Sequence, residues 1–263
     1  MANINALAAR LKAFEDGQKA NELSKRLWRP KEGIQNVRIV PYKYNSDFPF
    51  IELQFYYNIG DSHYLSPATF GKPDPIEEMV KTLRASGTEE QKQLIPKLVP
   101  TIRTYAPIIV RGEEDLGVRF WGFGVQVYKQ LLKLMTNSKY GDITSLTDGR
   151  DIEVEFHKVS KKKNAEGKPF PETNILCDPS VTPVVPPNRK DLMEKIKDQV
   201  DILDIFPLKS YDELKAIVEN WLNPSTTPTR GSSNEQDSTN QAVETLNEDL
   251  ENQFETFFKN KNA

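Results

Sequence analysis

Two hydrophobic periods alternate along the chain, one helical and one extended, and together they predict its elements. Ile4, Leu7, Leu11 and Phe14 are spaced three, four and three apart, which places them on one helical stripe. Arg10, Lys12 and Lys19 lie mostly off that stripe, and Lys25, Arg26 and Arg29 follow it. A short amphipathic helix is marginal alone and needs a surface, either its own domain or a neighbouring copy of the chain. From Trp28 to Tyr64 the texture is aromatic and β-branched, punctuated by Gly, Pro and Asn. Strands are predicted through Val37–Val40, Phe48–Ile51 and Leu53–Tyr57. A helix is predicted over Asp74–Ser86, with Pro75 in its first turn, Glu77 and Glu78 nearby, and Gly87 after its end.

Strands return between Ile102 and Phe123, broken at Arg111–Asp115 by a hairpin turn. Val127, Leu131 and Leu134 then set a helix over Val125–Met135. Ile152–Phe156 alternates cleanly and is expected to be the final strand, ahead of the basic run Lys161–Lys163. Pro183–Pro187 reads as stiff and extended. Two helices follow, Lys190–Ile205 and Tyr211–Leu222, the second stopped by Asn223-Pro224. Residues 225–240 are Ser, Thr, Pro, Gly, Asn and Gln, a linker with nothing to bury. Beyond it, Val243, Leu246, Leu250, Phe254, Phe257 and Phe258 share one face of an acidic amphipathic helix. Many short strands with inserted helices predict an α+β fold with a mainly β core, an elaborated barrel.

Composition sharpens this picture. Only 37% of the 263 residues are apolar and 18 are proline, so part of the length is not core. No stretch approaches 18 uncharged apolar residues and residues 1–20 lack a signal-peptide pattern, so a soluble intracellular protein is expected. Cys177 is the single cysteine, which excludes an internal disulfide and a cysteine-based zinc cage. Charge is distributed unevenly: residues 1–37 hold seven Lys/Arg against four Asp/Glu, and residues 231–263 hold two against seven. A basic front and an acidic rear suit a polyanion-binding protein with a regulatory or partner-binding tail.

Signatures of catalysis are sparse. His63 and His157 are the only histidines, no GxSxG elbow is present, and Val118-Arg119 stand where a phosphate-binding loop needs Lys and Ser/Thr. No enzymatic activity is expected. Binding chemistry is richer, because cations and aromatic rings interleave on the predicted strands. Single-stranded nucleic acid needs this mixture: cations track phosphates, and flat rings stack on bases of any identity. Candidate phosphate contacts are Arg38, Lys43, Arg103, Arg111, Arg119, Lys158, Lys161, Lys162 and Lys163. Candidate stacking rings are Tyr42, Tyr44, Tyr105 and Trp121; Arg119 and Trp121, two apart, share one face of their strand.

The run Trp28-Arg29-Pro30, continued by Gly33-Ile34-Gln35-Asn36-Val37-Arg38-Ile39-Val40-Pro41, resembles the start of the core in the T-even-type phage single-stranded DNA-binding, or helix-destabilising, proteins. Tyr105–Val110, Val118–Gly124 and Asp148–Asp151 are similar as well. The likeness covers roughly residues 28–185. It implies an OB-fold barrel with an inserted subdomain. It also implies phosphate contacts at Arg38, Arg103, Arg119 and Lys161–Lys163, and stacking at Tyr105 and Trp121. The family's subdomain holds a structural zinc with one histidine and three cysteines. Here His63-Tyr64-Leu65-Ser66 and Asp74-Pro75-Ile76-Glu77 occupy that stretch without a cysteine. Carboxylates and a hydroxyl do not replace thiolates in such a site, so the zinc is expected to be lost and no cofactor is expected.

The expected organisation is therefore a self-associating basic arm over residues 1–27, involving Leu7, Leu11, Lys25 and Arg26. A DNA-binding core follows over 28–185 with its insert at about 58–100, then a helical extension over 186–224. Last come the linker and acidic tail over 225–263, docking partners through Leu250, Phe254, Phe257 and Phe258. The expected function is sequence-independent, cooperative coating of single-stranded DNA in phage replication, recombination and repair, in the cytoplasm of the infected host. The expected partners are single-stranded DNA, further copies of the chain and replication proteins, with no membrane. The alternative is a protein-interaction adaptor whose barrel is structural and whose end helices do the docking. Convergence of the candidate cations on one face beside Tyr105 and Trp121 would separate the two.

Overall fold

A computed structural model describes residues 3–45, 47–60, 62–158, 167, 171–186 and 189–222. In chain order its elements are α1 (Ile4–Ser24), β1 (Leu27–Trp28), β2 (Gly33–Ile39), β3 (Ile51–Tyr56), β4 (Tyr64–Leu65), α2 (Pro75–Ser86), α3 (Glu89–Lys92), α4 (Ile95–Leu98), β5 (Thr101–Val110), β6 (Arg119–Phe123), α5 (Val125–Met135), β7 (Ile152–His157), β8 (Glu172–Cys177), α6 (Lys190–Lys197), α7 (Ile202–Ile205) and α8 (Tyr211–Leu222). The result is a mixed α+β fold built on a β-sheet, in two compact units. One takes the chain up to Leu53 and Ile102–Phe206, the other Gln54–Thr101 and the described residues from Pro207. The extension expected over 186–224 is thus divided between the units at Phe206.

In the first unit the strands lie in the order β1-β6-β5-β2-β7-β8. Neighbours are antiparallel except β1, which runs parallel to β6. Side chains alternate across a strand, so directly paired residues share a face. Val37, Ile39, Ala106, Ile108, Trp121, Phe123, Ile152, Val154 and Ile175 point one way and form the main core, closed by Val127 and Leu131 of α5. The opposite face carries Arg38, Tyr105, Ile109, Phe120 and Gly122. Around Ile109 it packs beneath Val184, Val185, and Leu192 and Ile196 of α6. Asn3 caps α1 by accepting from the Ala6 amide, and no residue of α1 is buried.

Two details differ from the sequence pattern. Ile152–Phe156 is not the last strand, because Glu172–Cys177 pairs along its whole length. With only Ile175 buried, β8 has too little alternation to register as a strand. The helix expected over Lys190–Ile205 is two helices. Gln199 turns inward at the break, and Asp201 starts the second by accepting from the Leu203 amide.

The second unit centres on a hairpin of β3 and β4, with Phe55 opposite Leu65, and on α2. Ile76, Met79, Val80 and Leu83 of α2 pack with Leu98 and with Leu214, Val218 and Leu222 of α8. Asp74, buried at the start of α2, accepts from the Ile76 and Glu77 amides, from the Tyr56 hydroxyl at 2.9 Å and from the Ser66 hydroxyl at 2.5 Å. Burial pushes the Tyr56 phenol well above its ordinary pKa, so Tyr56 remains the donor. In the stretch that corresponds to the family's zinc subdomain, Asp74 accepts these four hydrogen bonds and the His63 ring packs against Tyr57. Among the described residues no group of three His, Cys, Asp or Glu side chains could hold a metal ion.

Candidate nucleic-acid interface

The sheet sorts the expected contacts by face. Trp121 lies opposite Ala106 on the core face, 1% exposed, with its ring 5.6 Å from Trp28 and 4.8 Å from Phe123. Trp121 is therefore a core ring, and its assignment as a stacking residue is corrected. Arg119 does share that face, but its Nη2 donates to Glu113 Oε2 at 2.6 Å and only 11% of its side chain is exposed. Arg119 thus anchors the turn at Glu113 instead of presenting its charge to solvent, and the cause is visible in the Glu113-Glu114-Asp115 run beside it.

Arg38 is corrected for a related reason. It is fully buried, with Nη2 at 2.9 Å from Asp151 Oδ1 and 2.7 Å from the Thr182 hydroxyl, and with Nη1 donating to the Ser145 carbonyl. Burial lowers the Arg38 pKa from its ordinary value and Asp151 opposes that shift. Arg111 grips the same carboxylate with Nε and Nη2, both at 2.9 Å, and reaches the Val184 carbonyl. Two arginines bracketing one aspartate form an internal clamp, not a phosphate site. Gly149 permits it, since a Cβ there would fall 2.8 Å from Arg38 Nη1. The Asp148–Asp151 motif is thus explained by the loop it wraps around Arg38.

The outer face keeps a second set together. Tyr105 lies opposite Gly122, and a Cβ on Gly122 would sit 2.6 Å from the Tyr105 ring, so the missing side chain lets that ring lie across β6. Arg103, two residues before Tyr105 and exposed, donates from Nη2 to the Gly122 carbonyl at 3.1 Å. On the next row Phe120 meets Tyr42 at 5.9 Å, and Tyr42 meets Tyr44 at 5.4 Å. Tyr44 is 52% exposed and carries the Lys43 ammonium 5.5 Å above its ring. Tyr42 is buried, which raises its pKa and keeps its phenol protonated. Rings in a row with Lys43 and Arg103 exposed along it are what this face offers a ligand.

Lys158 is exposed at the end of β7, its amide held by Glu32 Oε2 at 2.7 Å. Beside it His157 contacts Glu155 and Glu32, and its bond to Glu155 raises its pKa, with Glu32 adding to the effect. Lys161–Lys163 lie outside the described residues, as do Leu250, Phe254, Phe257 and Phe258 of the tail. Leu7 and Leu11 of α1 are exposed, Lys25 pairs with Glu22, and Arg26 donates to the Leu116 carbonyl. Sequence reasoning missed Gly122, whose signal was a glycine inside an aromatic strand, and Phe206, which packs on Tyr105 at 5.1 Å.

Single-stranded nucleic acid is bound by rings that stack on bases beside cations that hold phosphates; on this face Tyr44 is the exposed ring, and Tyr42, Tyr105 and Phe120 are buried. A family model described as gp32 DNA binding protein like matches residues 31–219, more than two-thirds of the chain. The chain belongs to this family of DNA-binding proteins. No curated protein matches the chain. Among the described residues no helix is long and apolar enough to cross a membrane.

Proposed function

We propose that the chain is a sequence-independent single-stranded DNA-binding protein without enzymatic activity, and that its first unit is an elaborated OB-fold barrel. The observation that carries this reading is the outer face of β5 and β6, where Arg103, Tyr105 and Gly122 meet in a chain of the gp32-like family. Exposed Lys43 and Arg103 hold phosphates while Tyr44 and Tyr105 take bases. Lys158 adds a further exposed cation, and the Lys161–Lys163 run of the sequence adds positive charge. Each stacked base is worth about 1–3 kcal/mol, and paired bases offer no faces, so duplex binding is weak.

In this reading α1 docks on the neighbouring copy along the strand, and the acidic tail recruits replication and recombination proteins within the host cytoplasm. The exposed stripe of Ile4, Leu7, Leu11 and Phe14 supports the first of these. An adaptor is the competing reading, supported by the internal pairing of Arg38, Arg111 and Arg119.

Titration of a fluorescently labelled oligo-dT by anisotropy at several salt concentrations separates the two. Log affinity should fall by about 0.7 per phosphate contact for each log unit of salt, and a duplex of equal length should bind more weakly. Absence of salt-dependent binding would favour the adaptor.

A further inference from the structure

One segment of the first unit touches Tyr42, Tyr44 and Tyr105 of the candidate face. It begins where α6 ends and runs through α7 to Phe206. Gln199 is buried: its Nε2 donates to the Pro41 carbonyl at 2.9 Å, and its Oε1 accepts from the Lys43 amide at 3.1 Å. The Tyr44 hydroxyl donates to the Gln199 carbonyl. Tyr42 donates to Asp201 Oδ1 and accepts from the Ile202 amide, both at 3.2 Å. Phe206 then lies 5.1 Å from Tyr105 at an interplanar angle of 51°, and Tyr105 is 7% exposed.

A base cannot stack on Tyr105 while Phe206 sits there. The segment also carries Asp198, Asp201 and Asp204, with Asp198 and Asp204 exposed. Carboxylates at short intervals followed by a flat ring reproduce, in protein, the charge and the stacking surface of a nucleotide strand.

We propose that residues 198–206 form a displaceable strap that mimics single-stranded nucleic acid, occupying the ring face until DNA competes it away. This rests on the single-stranded DNA reading above and adds a regulatory step to it. A strap closed most of the time weakens apparent affinity by the fraction of molecules that are open. The strap is suited to exchange because polar bonds through Gln199 and Asp201 and one ring contact hold it to the tyrosines. Its buried side chains are Gln199 and Ile202.

Hydrogen exchange on the full chain, with and without oligo-dT, tests the strap. With DNA bound, amides of Ile202, Leu203 and Phe206 should exchange faster while those of β5 and β6 slow. Slowing in β5 and β6 with unchanged or slower strap amides would overturn the strap and leave the DNA reading standing. No binding of oligo-dT at low salt would overturn both. A Phe206→Ala variant adds an independent readout: removing the ring should tighten oligo-dT binding, on the order of tenfold for a mostly closed strap. Weaker binding would show instead that Phe206 belongs to the binding surface, and would overturn its role as a competitor.

Discussion

Trp121 and Tyr105 occupy neighbouring positions in the β5–β6 register and do opposite work. Tyr105 pairs with Gly122 and Trp121 with Ala106, one step along, so the pleat sends the two rings to opposite faces of the sheet. On the core face Trp121 is enclosed by Trp28 and Phe123, and Arg119 on that face is paired with Glu113. On the outer face Tyr105 rests over a glycine, with Arg103 beside it and a single strap above. A ring beside an arginine in sequence is therefore not evidence of a binding ring. What separates the two is the partner residue across the strand, glycine in one case and alanine within a packed core in the other.

The sharpest way to break this comparison is to remove each ring's support. Trp121→Ala should cost about 3–5 kcal/mol of stability through the cavity it leaves, read as a lowered urea midpoint. Arg103→Ala, at an exposed position, should change stability by less than about 0.5 kcal/mol yet weaken oligo-dT binding. A stable Trp121→Ala that binds DNA poorly would reverse the assignments of the two faces.

Next in size is the clamp that withdraws Arg38 and Arg111 from solvent. Asp151→Asn leaves a buried guanidinium without its countercharge and should cost about 3 kcal/mol in the same unfolding measurement. An unchanged midpoint with stronger DNA binding would mean that the arginines are available to phosphate after all.

In the second unit, Asp74→Ala removes the cap of α2 and leaves the Tyr56 and Ser66 hydroxyls without their acceptor, a loss of about 1–3 kcal/mol for each unsatisfied buried group. If that carboxylate hub holds the unit together without a metal, the melting temperature of the wild-type chain should not respond to a chelator. A fall on adding chelator would restore a metal to this unit.

The smallest effect belongs to His157. Its pKa is raised in the folded chain by Glu155 and then Glu32, so its stabilising contribution is present below the ordinary histidine pKa and lost as pH rises through the raised value. The melting temperatures of wild type and His157→Gln should therefore differ at mildly acidic pH and converge at alkaline pH. A gap that widens with pH would refute the assignment.

Much of the fold was legible because its periods are strong: α2 with Asp74, Pro75 and Glu77, α5 with Val127 and Leu131, and β7 with its clean alternation. The family was legible from short runs around Arg38, Tyr105 and Gly122. What the pattern could not carry was long-range pairing. Asp151 lies far along the chain from Arg38, and Glu113 turns Arg119 inward through a loop, so both arginines read as free cations. The break at Gln199 was equally hidden, because its cause is a hydrogen bond to Pro41 across the fold.

Photo-crosslinking of a bromodeoxyuridine-substituted oligo-dT, followed by peptide mapping, reads directly which face of the sheet the strand lies on. Adducts at Tyr105 or Tyr44, with none at Trp121, are expected if the outer face is the binding surface. Adducts at Trp121, or adducts confined to residues outside β5, β6 and the Tyr42–Tyr44 turn, would contradict it.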